Sequence, residues 1–135
     1  MKEELRMYVL VPYNLSPIQQ GIQAAHAIAE LGLDMSDNGY HGDANGPQCT
    51  MKYMLPDNKY YEWAREYKTI VILNSGTTGK YSSMDNHRKN LDKLDVTYST
   101  FREPDLNDAM TAIAFVVDMK EDSHIVGYLK QMRLA

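Results

Sequence analysis

Four polar side chains recur at helical spacing shortly after the first apolar segment of the chain. Gln19, Gln23, His26 and Glu30 follow the i, i+4, i+7, i+11 pattern, so a helix would place them on one stripe. Amides and an imidazole both donate and accept hydrogen bonds, as recognition of a nucleobase or a ribose requires. A solvated polar helix face is the alternative. The position of the stripe directly after a strand favours ligand binding.

A glycine-rich segment follows the second apolar run and offers flexible backbone, hydroxyls and one cation. It reads Ser75, Gly76, Thr77, Thr78, Gly79 and Lys80. The backbone N–H groups of such a loop can surround a phosphate. The segment is not a P-loop, because only two residues separate its two glycines. We interpret it as a loop that approaches phosphate, with a plain turn as the alternative.

Tyrosine is unusually frequent, with 10 tyrosines beside two phenylalanines and one tryptophan. Tyrosine offers a ring face for stacking and a polar end. We predict that Tyr13, with Tyr40 or Tyr81, stacks on a base, although tyrosines at the edge of the core are the plainer interpretation.

Oxygen-bearing side chains cluster in one turn at Glu103, Asp105, Asn107 and Asp108, and such groups can hold a hard cation. Residues of these types more often shape a turn through their own backbone, so we predict neither a metal nor a cofactor. The single cysteine, Cys49, excludes a disulfide within the chain and a cysteine-rich zinc site. We therefore expect a cytoplasmic protein.

Strands and helices alternate along the chain. Ser16 and Pro17 signal the start of a first helix that Gly32 should end, with Ile18, Ile22, Ala25 and Ala29 facing the sheet. Asp57 indicates a second helix with Tyr60, Trp63, Ala64 and Tyr67 inside, and Ser82 or Ser83 indicates a third. The predicted strands are 7–11, 69–73, 96–101 and 110–117, the last helix is about 121–132, and a long surface loop covers about 34–50.

This order predicts one α/β domain over residues 1–135, with a four-stranded mixed sheet and helices on both faces. The short connection at 102–108 favours antiparallel pairing of the last two strands, and we place the strand at 110–117 centrally. No apolar run approaches the roughly 20 residues that span a bilayer, so we expect no membrane association. The net charge of −4 disfavours nucleic acid as a partner.

The segment Gln23-Ala24-Ala25-His26-Ala27, after a leading apolar strand, resembles the Q-x-x-H-A segment of peptidyl-tRNA hydrolase II. The element order over about residues 5–118 is similar to that family as well. The resemblance implies a peptidyl-tRNA hydrolase II-like fold and a homodimer. The family has a catalytic lysine four residues before that glutamine. This chain has Gln19 there, which neither carries a positive charge nor titrates.

Three segments together look like small phage-encoded relatives of this fold, namely residues 14–20, 23–27 and 103–108. That resemblance implies a non-catalytic protein of the host-cell cytoplasm that sequesters a nucleotide-derived signal of antiviral defence. The signal would be a cyclic oligonucleotide (CBASS), or an ADP-ribose derivative such as histidine-ADP-ribose or cyclic ADP-ribose (Thoeris). The expected ligand contacts are Tyr13, Gln19, Gln23, His26, Ser75, Gly76, Thr77, Thr78 and Lys80.

Two other functions stay open. The chain could be a peptidyl-tRNA hydrolase that acts on tRNA, with His26 and a carboxylate from Glu103 or Asp105 replacing the function of the missing lysine. It could also be an accessory protein that binds only another protein.

Overall fold

The computed structural model describes residues 4–40, 59–78 and 82–135, with side chains up to residue 36 in the first range. The strands in these ranges are β1 (Leu5–Val11), β2 (Ile70–Asn74), β3 (Tyr98–Glu103), β4 (Ala109–Asp118) and β5 (Arg133–Leu134). The helices are α1 (Pro17–Tyr40), α2 (Lys59–Glu62), α3 (Ser83–Lys93) and α4 (Ser123–Leu129). A π-helical turn (Trp63–Tyr67) continues α2, and a 3-10 turn (Pro104–Leu106) follows β3.

One mixed sheet joins the strands in the order β3-β4-β1-β2-β5. β1 runs parallel to β2, and the other pairs are antiparallel, including β3 with β4 as predicted. The mixed α/β class is confirmed, but the sheet has five strands where four were predicted. β5 pairs only Arg133 and Leu134 with the end of β2, and so short a strand has no periodic signal in the sequence. β4 lies inside the sheet, although β1 occupies its centre.

The core has two halves because successive side chains of β1 point to opposite faces of the sheet. Met7 and Val9 pack in a cluster with α1 and the π-helical turn. Tyr8 and Leu10 pack in a second cluster with buried residues of α3 and α4. Helices therefore cover both faces, as an almost continuously apolar β1 indicates.

α1 is longer than predicted, since it continues through Gly32 to Tyr40. A Cβ atom at Gly32 would lie 2.6 Å from the hydroxyl oxygen of Tyr60, so this glycine permits close contact between α1 and α2 and does not end the helix. The predicted surface loop is wrong for residues 34–40, and residues 41–50 lie outside the described ranges. Despite the 24 residues of α1, none of the described helices combines the length and the apolar character that crossing a bilayer needs.

The predicted burial of Trp63 and the predicted start of α3 are confirmed. Trp63 is buried, and its indole N–H donates to the carbonyl of Thr69 at 2.8 Å. Ser82 caps α3, because its Oγ accepts a hydrogen bond from the Asp85 N–H at 3.3 Å. Asp57 lies outside the described residues. The last helix ends at Leu129, earlier than predicted.

A histidine joins the two helices on the second face of the sheet. His87 on α3 hydrogen-bonds through Nδ1 to the Tyr128 hydroxyl on α4. Burial lowers the pKa of His87 below its usual value of 6.5. Its neutral form is therefore the one that suits the folded protein.

We predict that the free energy of unfolding falls as the pH drops below 6.5. Between the folded pKa of His87 and 6.5, the unfolded chain binds more protons. The contribution of His87 to the free energy of unfolding is therefore complete above pH 6.5. It is lost as the pH falls toward the lower pKa that His87 has in the folded protein, by at most about 1.4 kcal/mol per pH unit. Urea unfolding across this range would measure the slope. His87→Gln should reduce it and His124→Gln, at an exposed site, should not. Equal slopes in wild type and His87→Gln would contradict this assignment.

Candidate functional site

The carboxyl ends of β1 and β2 lie side by side, as their parallel pairing requires. The Tyr13 N–H donates to the carbonyl of Gly76 at 2.8 Å, and the Ser75 N–H donates to the carbonyl of Val11 at 2.9 Å. The structure therefore brings Tyr13, whose side chain is 57% exposed, next to the loop that follows β2. Lys80, Gly79 and Tyr81 lie outside the described residues, as does the side chain of Tyr40.

The polar groups of the loop after β2 mostly bind the protein itself. Ser75 is buried, and its hydroxyl donates to the carbonyl of Val11 at 2.8 Å. The carbonyl of Thr77 accepts from the Met84 N–H at 2.9 Å, and the hydroxyl of Thr78 donates to the carbonyl of Met110. These bonds hold the start of α3 against β4. They leave Ser75 unavailable to a ligand.

Gly76 has a φ of +94°, which L side chains rarely adopt. A Cβ atom there would lie 2.6 Å from the side chain of Ser83. The first N–H groups of α3 are also occupied, because those of Ser83, Met84 and Asp85 donate to Thr77 or Ser82. Gly76 thus permits the tight turn that brings the chain against the start of α3. The N–H groups of Ser75, Gly76, Ser83, Met84 and Asp85 are thus bonded within the protein.

The first helix begins as predicted, since Pro17 is its first residue and the Gln19 N–H donates to the Ser16 hydroxyl at 3.3 Å. Beyond that first turn, the predicted polar stripe divides. Gln19 is exposed, whereas Gln23 is buried. His26 is exposed and its ring contacts Phe101, with 4.4 Å between ring centroids. The stripe therefore does not converge on one ligand.

The face that α1 turns toward the sheet differs from the predicted one. Ala24, Ala27 and Leu31 pack in the first core cluster, beside Ala112 and Ala114 of β4. The residues predicted to face the sheet are instead exposed, and they are Ile18, Ile22, Ala25 and Ala29. Alanines on both sides of the interface let helix and sheet lie close together, and this contact replaces the expected isoleucine packing.

A buried hydrogen bond accompanies this orientation of α1. The Thr111 hydroxyl donates to Gln23 Oε1 at 2.6 Å. The β3–β4 register pairs Phe101 with Ala112 and Arg102 with Met110, so Thr111 is an extra residue in β4. The bulge directs its hydroxyl to α1. Gln23 is therefore part of the packing between α1 and β4.

A cavity of about 430 Å³ opens beside the loop that follows the carboxyl end of β2. Its walls come from the first turn of α3 and from the β3–β4 connection, and Met110, which bonds Thr78, is one of them. Asn107 and Asp108 have φ values of +55° and +58°, so the turn doubles back on itself here. The residues that line the cavity are Asp85, Arg102, Leu106, Asn107, Asp108, Ala109 and Met110.

Arg102 is the cation of this cavity. Its Nη1 donates to the backbone carbonyl of Asp108 at 3.2 Å, and among the described residues it forms no ion pair with a carboxylate. The carboxylate of Asp85 is paired with Arg88 at 3.1 Å and Lys89 at 3.3 Å. Hydrogen bonds from these two cations lower the pKa of Asp85. Arg102 can therefore receive an anion without first losing a partner.

Sequence reasoning did not single out Arg102. Its one signal is that it is the sole cation between Asp95 and Met119 and stands directly before the acidic turn. Glu103 and Asp105, the alternative catalytic carboxylates, lie at the end of β3 and in the 3-10 turn. Neither lines a cavity described above. In the described ranges, no group of three or more metal-ligating side chains occurs.

A larger cavity, of about 570 Å³, lies at the opposite end of the sheet. Lys59 lines it and is paired with Asp122 at 2.9 Å. Asp95 and His124 also line it. Aspartates line both cavities, but Lys59 is already paired with Asp122, so this cavity suits an anionic ligand less well than the one at Arg102.

We predict that Thr111→Val destabilises the protein by about 1–3 kcal/mol, because Gln23 Oε1 would stay buried without a partner. The double variant Gln23→Leu/Thr111→Val should recover part of that loss. Urea unfolding measures each change, and Thr97→Val, at an exposed site, is the control. If Thr111→Val costs no more than the control, the hydrogen bond does not stabilise the fold.

A scan against protein-family models and a search of curated proteins both return no match for this chain.

Proposed function

We propose that this protein binds a small phosphorylated, nucleotide-derived ligand and does not cleave it. The observation that carries the proposal is the Arg102 cavity, where a guanidinium that has no carboxylate partner in the described part of the chain lines a space of about 430 Å³. Pockets for small ligands commonly measure roughly 300–1,000 Å³. Arginine suits phosphate because its planar N–H groups can form two parallel, charge-assisted hydrogen bonds.

Neighbouring groups supply the other contacts that a nucleotide needs. The Asn107 side chain can donate and accept hydrogen bonds toward a base or a ribose. Tyr13 lies at the same end of the sheet. Its N–H donates to the carbonyl of Gly76, and Thr78 of the same loop donates to the carbonyl of Met110. The exposed ring of Tyr13 could stack on a base, a contact worth about 1–3 kcal/mol. In this proposal, Arg102 takes the phosphate-binding role that the glycine-rich loop was expected to have.

The composition of the cavity supports binding over catalysis. No histidine, lysine, cysteine or hydroxyl side chain is among the described residues that line it. Asp85 is a poor proton acceptor, because Arg88 and Lys89 hold its pKa low. Cleavage of a phosphoester or an acyl ester needs an activated nucleophile or a general base near neutral pH.

The resemblance to phage-encoded relatives of peptidyl-tRNA hydrolase II supplies the biological role in this proposal. The protein would sequester a nucleotide signal of bacterial antiviral defence, either an ADP-ribose derivative or a cyclic oligonucleotide. Sequestration requires tight binding and release of an unchanged molecule. A cavity that holds Arg102 and whose described lining contains no histidine, lysine, cysteine or hydroxyl side chain is consistent with that role.

We expect Arg102→Gln to weaken ligand binding by roughly tenfold to a hundredfold, since a hydrogen bond to a charged group contributes roughly 1.5–3 kcal/mol. Melting temperature is measured with ADP-ribose, cyclic ADP-ribose and a cyclic dinucleotide. At least one should raise it for the wild type, because a ligand selective for the native state stabilises it. The rise should shrink in Arg102→Gln.

Arg65→Gln is the matched control, because it removes the same charge from an exposed residue of the π-helical turn. Mass spectrometry of the material released on denaturation should find the ligand intact. If no nucleotide raises the melting temperature, the protein is not a nucleotide binder. Recovery of a cleaved product would instead make it an enzyme.

We predict that the wild type does not release tRNA from a model peptidyl-tRNA. Position 19 lacks the lysine, Gln23 is buried against Thr111, and among the described residues no hydrogen bond joins His26 to Glu103 or Asp105. Gln19→Lys is a suitable comparison, because residue 19 is exposed and can change without disturbing the core. Release by the wild type would establish the hydrolase. Release by Gln19→Lys alone would identify position 19 as the residue that separates this chain from that enzyme.

A further inference from the structure

The cavity at Arg102 carries more negative than positive charge in its described lining. Arg102 is the cation, whereas Asp85 and Asp108 are carboxylates, and the other described lining residues are uncharged. A phosphate group adds at least one negative charge to this set. The cavity therefore presents an anionic ligand with one attractive group and with carboxylates that repel it, and the balance between them depends on the charge of the ligand.

The two carboxylates differ in how far they are neutralised. Asp85 pairs with Arg88 at 3.1 Å and with Lys89 at 3.3 Å, so cations on its own helix compensate its charge. Asp108 is exposed and forms no ion pair within the described ranges. Its backbone carbonyl accepts the hydrogen bond from Arg102 at 3.2 Å, so its carboxylate belongs to the residue that holds the guanidinium in place. Asp108 is therefore the group that opposes added negative charge next to Arg102.

The rest of the β3–β4 connection adds to this effect. Glu103 and Asp105 precede Asp108, so residues 102–108 carry three carboxylates and one guanidinium. Exposed charges influence one another over roughly 8 Å at physiological ionic strength. Three other lining residues are apolar, namely Leu106, Ala109 and Met110. A second ligand charge beside them would lose hydration without gaining a cationic partner in the described lining. The connection thus compensates one negative charge and resists a second.

We propose that the Arg102 cavity selects a singly charged phosphodiester and disfavours phosphomonoesters and diphosphates, with Asp108 as the specificity-determining residue. This inference rests on the function proposed above. A phosphodiester carries one negative charge, which Arg102 matches, whereas a phosphomonoester carries roughly 1.5 to 2 negative charges at pH 7. A diphosphate linkage puts two charges on neighbouring phosphates beside a single guanidinium.

This selection separates the two ligand classes of the proposed function. In a cyclic oligonucleotide, riboses separate the phosphodiesters, so one diester can lie at Arg102 while the next lies farther from Asp108. An ADP-ribose derivative instead brings two adjacent phosphates to the same guanidinium. The charges of the cavity therefore favour a cyclic oligonucleotide as the ligand.

Two nucleotides that share a base and a ribose measure the selection, namely 3′,5′-cyclic AMP, a diester, and 5′-AMP, a monoester. Isothermal titration calorimetry on the full chain should find cyclic AMP bound at least about fivefold more tightly than AMP, because the carboxylate of Asp108 repels the extra phosphate charge. The same order is expected for cyclic di-AMP over ADP-ribose. Raising NaCl to about 1 M should reduce both preferences, because the screening length falls to roughly 3 Å.

Asp108→Asn removes the carboxylate and keeps the size of the side chain, and asparagine tolerates the φ of +58° at this position. It should reduce the preference for cyclic AMP at least about threefold, mainly by tightening AMP binding. Asp95→Asn is the matched control, because Asp95 is also exposed, has a φ of +60° and lines the cavity at the opposite end of the sheet. The control should leave the preference unchanged.

The outcomes separate this selection from the function on which it rests. A wild type that binds AMP as tightly as cyclic AMP, or ADP-ribose as tightly as cyclic di-AMP, would overturn the selection and leave nucleotide binding intact. A preference that persists unchanged in Asp108→Asn and in high salt would show that shape and not charge decides it, and would overturn the role of Asp108. If none of the four nucleotides binds, the proposed function itself fails.

Discussion

The hydrogen bond between Thr111 and Gln23 fixes how α1 lies on the sheet. A bulge in β4 turns the Thr111 hydroxyl toward the helix, beside the apolar side chains of the first core cluster. Ala24 and Ala27 let the helix backbone come close to β4, and this close contact seals Gln23 from water. A buried amide must be hydrogen-bonded, so a rotation of α1 would leave Gln23 or Thr111 without a hydrogen-bond partner. The orientation of the longest helix thus rests on the small side chains at this interface and on two polar contacts with the sheet, Thr111 with Gln23 and Ser99 with Asp34.

The chemistry available on the surface follows from that orientation. With Gln23 inside, Gln19 and His26 no longer share a site with it, and the polar stripe cannot enclose a ligand. In the described part of the glycine-rich loop, Ser75, Thr77 and Thr78 hydrogen-bond to β1, α3 and β4. In the proposed function, an anion is recognised at the β3–β4 connection, where Arg102 lines a cavity and lacks a carboxylate partner among the described residues. The same orientation leaves Ile18 and Ile22 exposed on the outer face of α1.

Local signals in the sequence were sufficient for most of the elements. Apolar and β-branched runs located the four longer strands, and Ser16 and Ser82 located two helix starts. Hydropathy predicted the wrong face of α1 as the buried one, because isoleucine is normally buried more often than alanine. The bulge that reverses this preference depends on the tertiary structure. Gly32 failed as a helix end for a similar reason, since it accommodates Tyr60 from α2. The Arg102 cavity had almost no signal, because it results from left-handed residues in a turn that brings distant side chains together. Sequence spacing can predict a stripe on a helix, but it cannot show which stripe a sheet will cover.

The rotation of α1 about its axis decides which of its side chains are buried, and nuclear Overhauser contacts in solution measure it directly. This account predicts contacts between the Gln23 side-chain amide protons and the Thr111 methyl group, together with slow exchange of those amide protons with water. It also predicts no contacts between the methyl groups of Ile18 or Ile22 and residues of β4. Strong contacts from Ile22 to Ala112 or Ala114, with rapid exchange of the Gln23 amide, would show that α1 packs through its isoleucine face and would contradict the account.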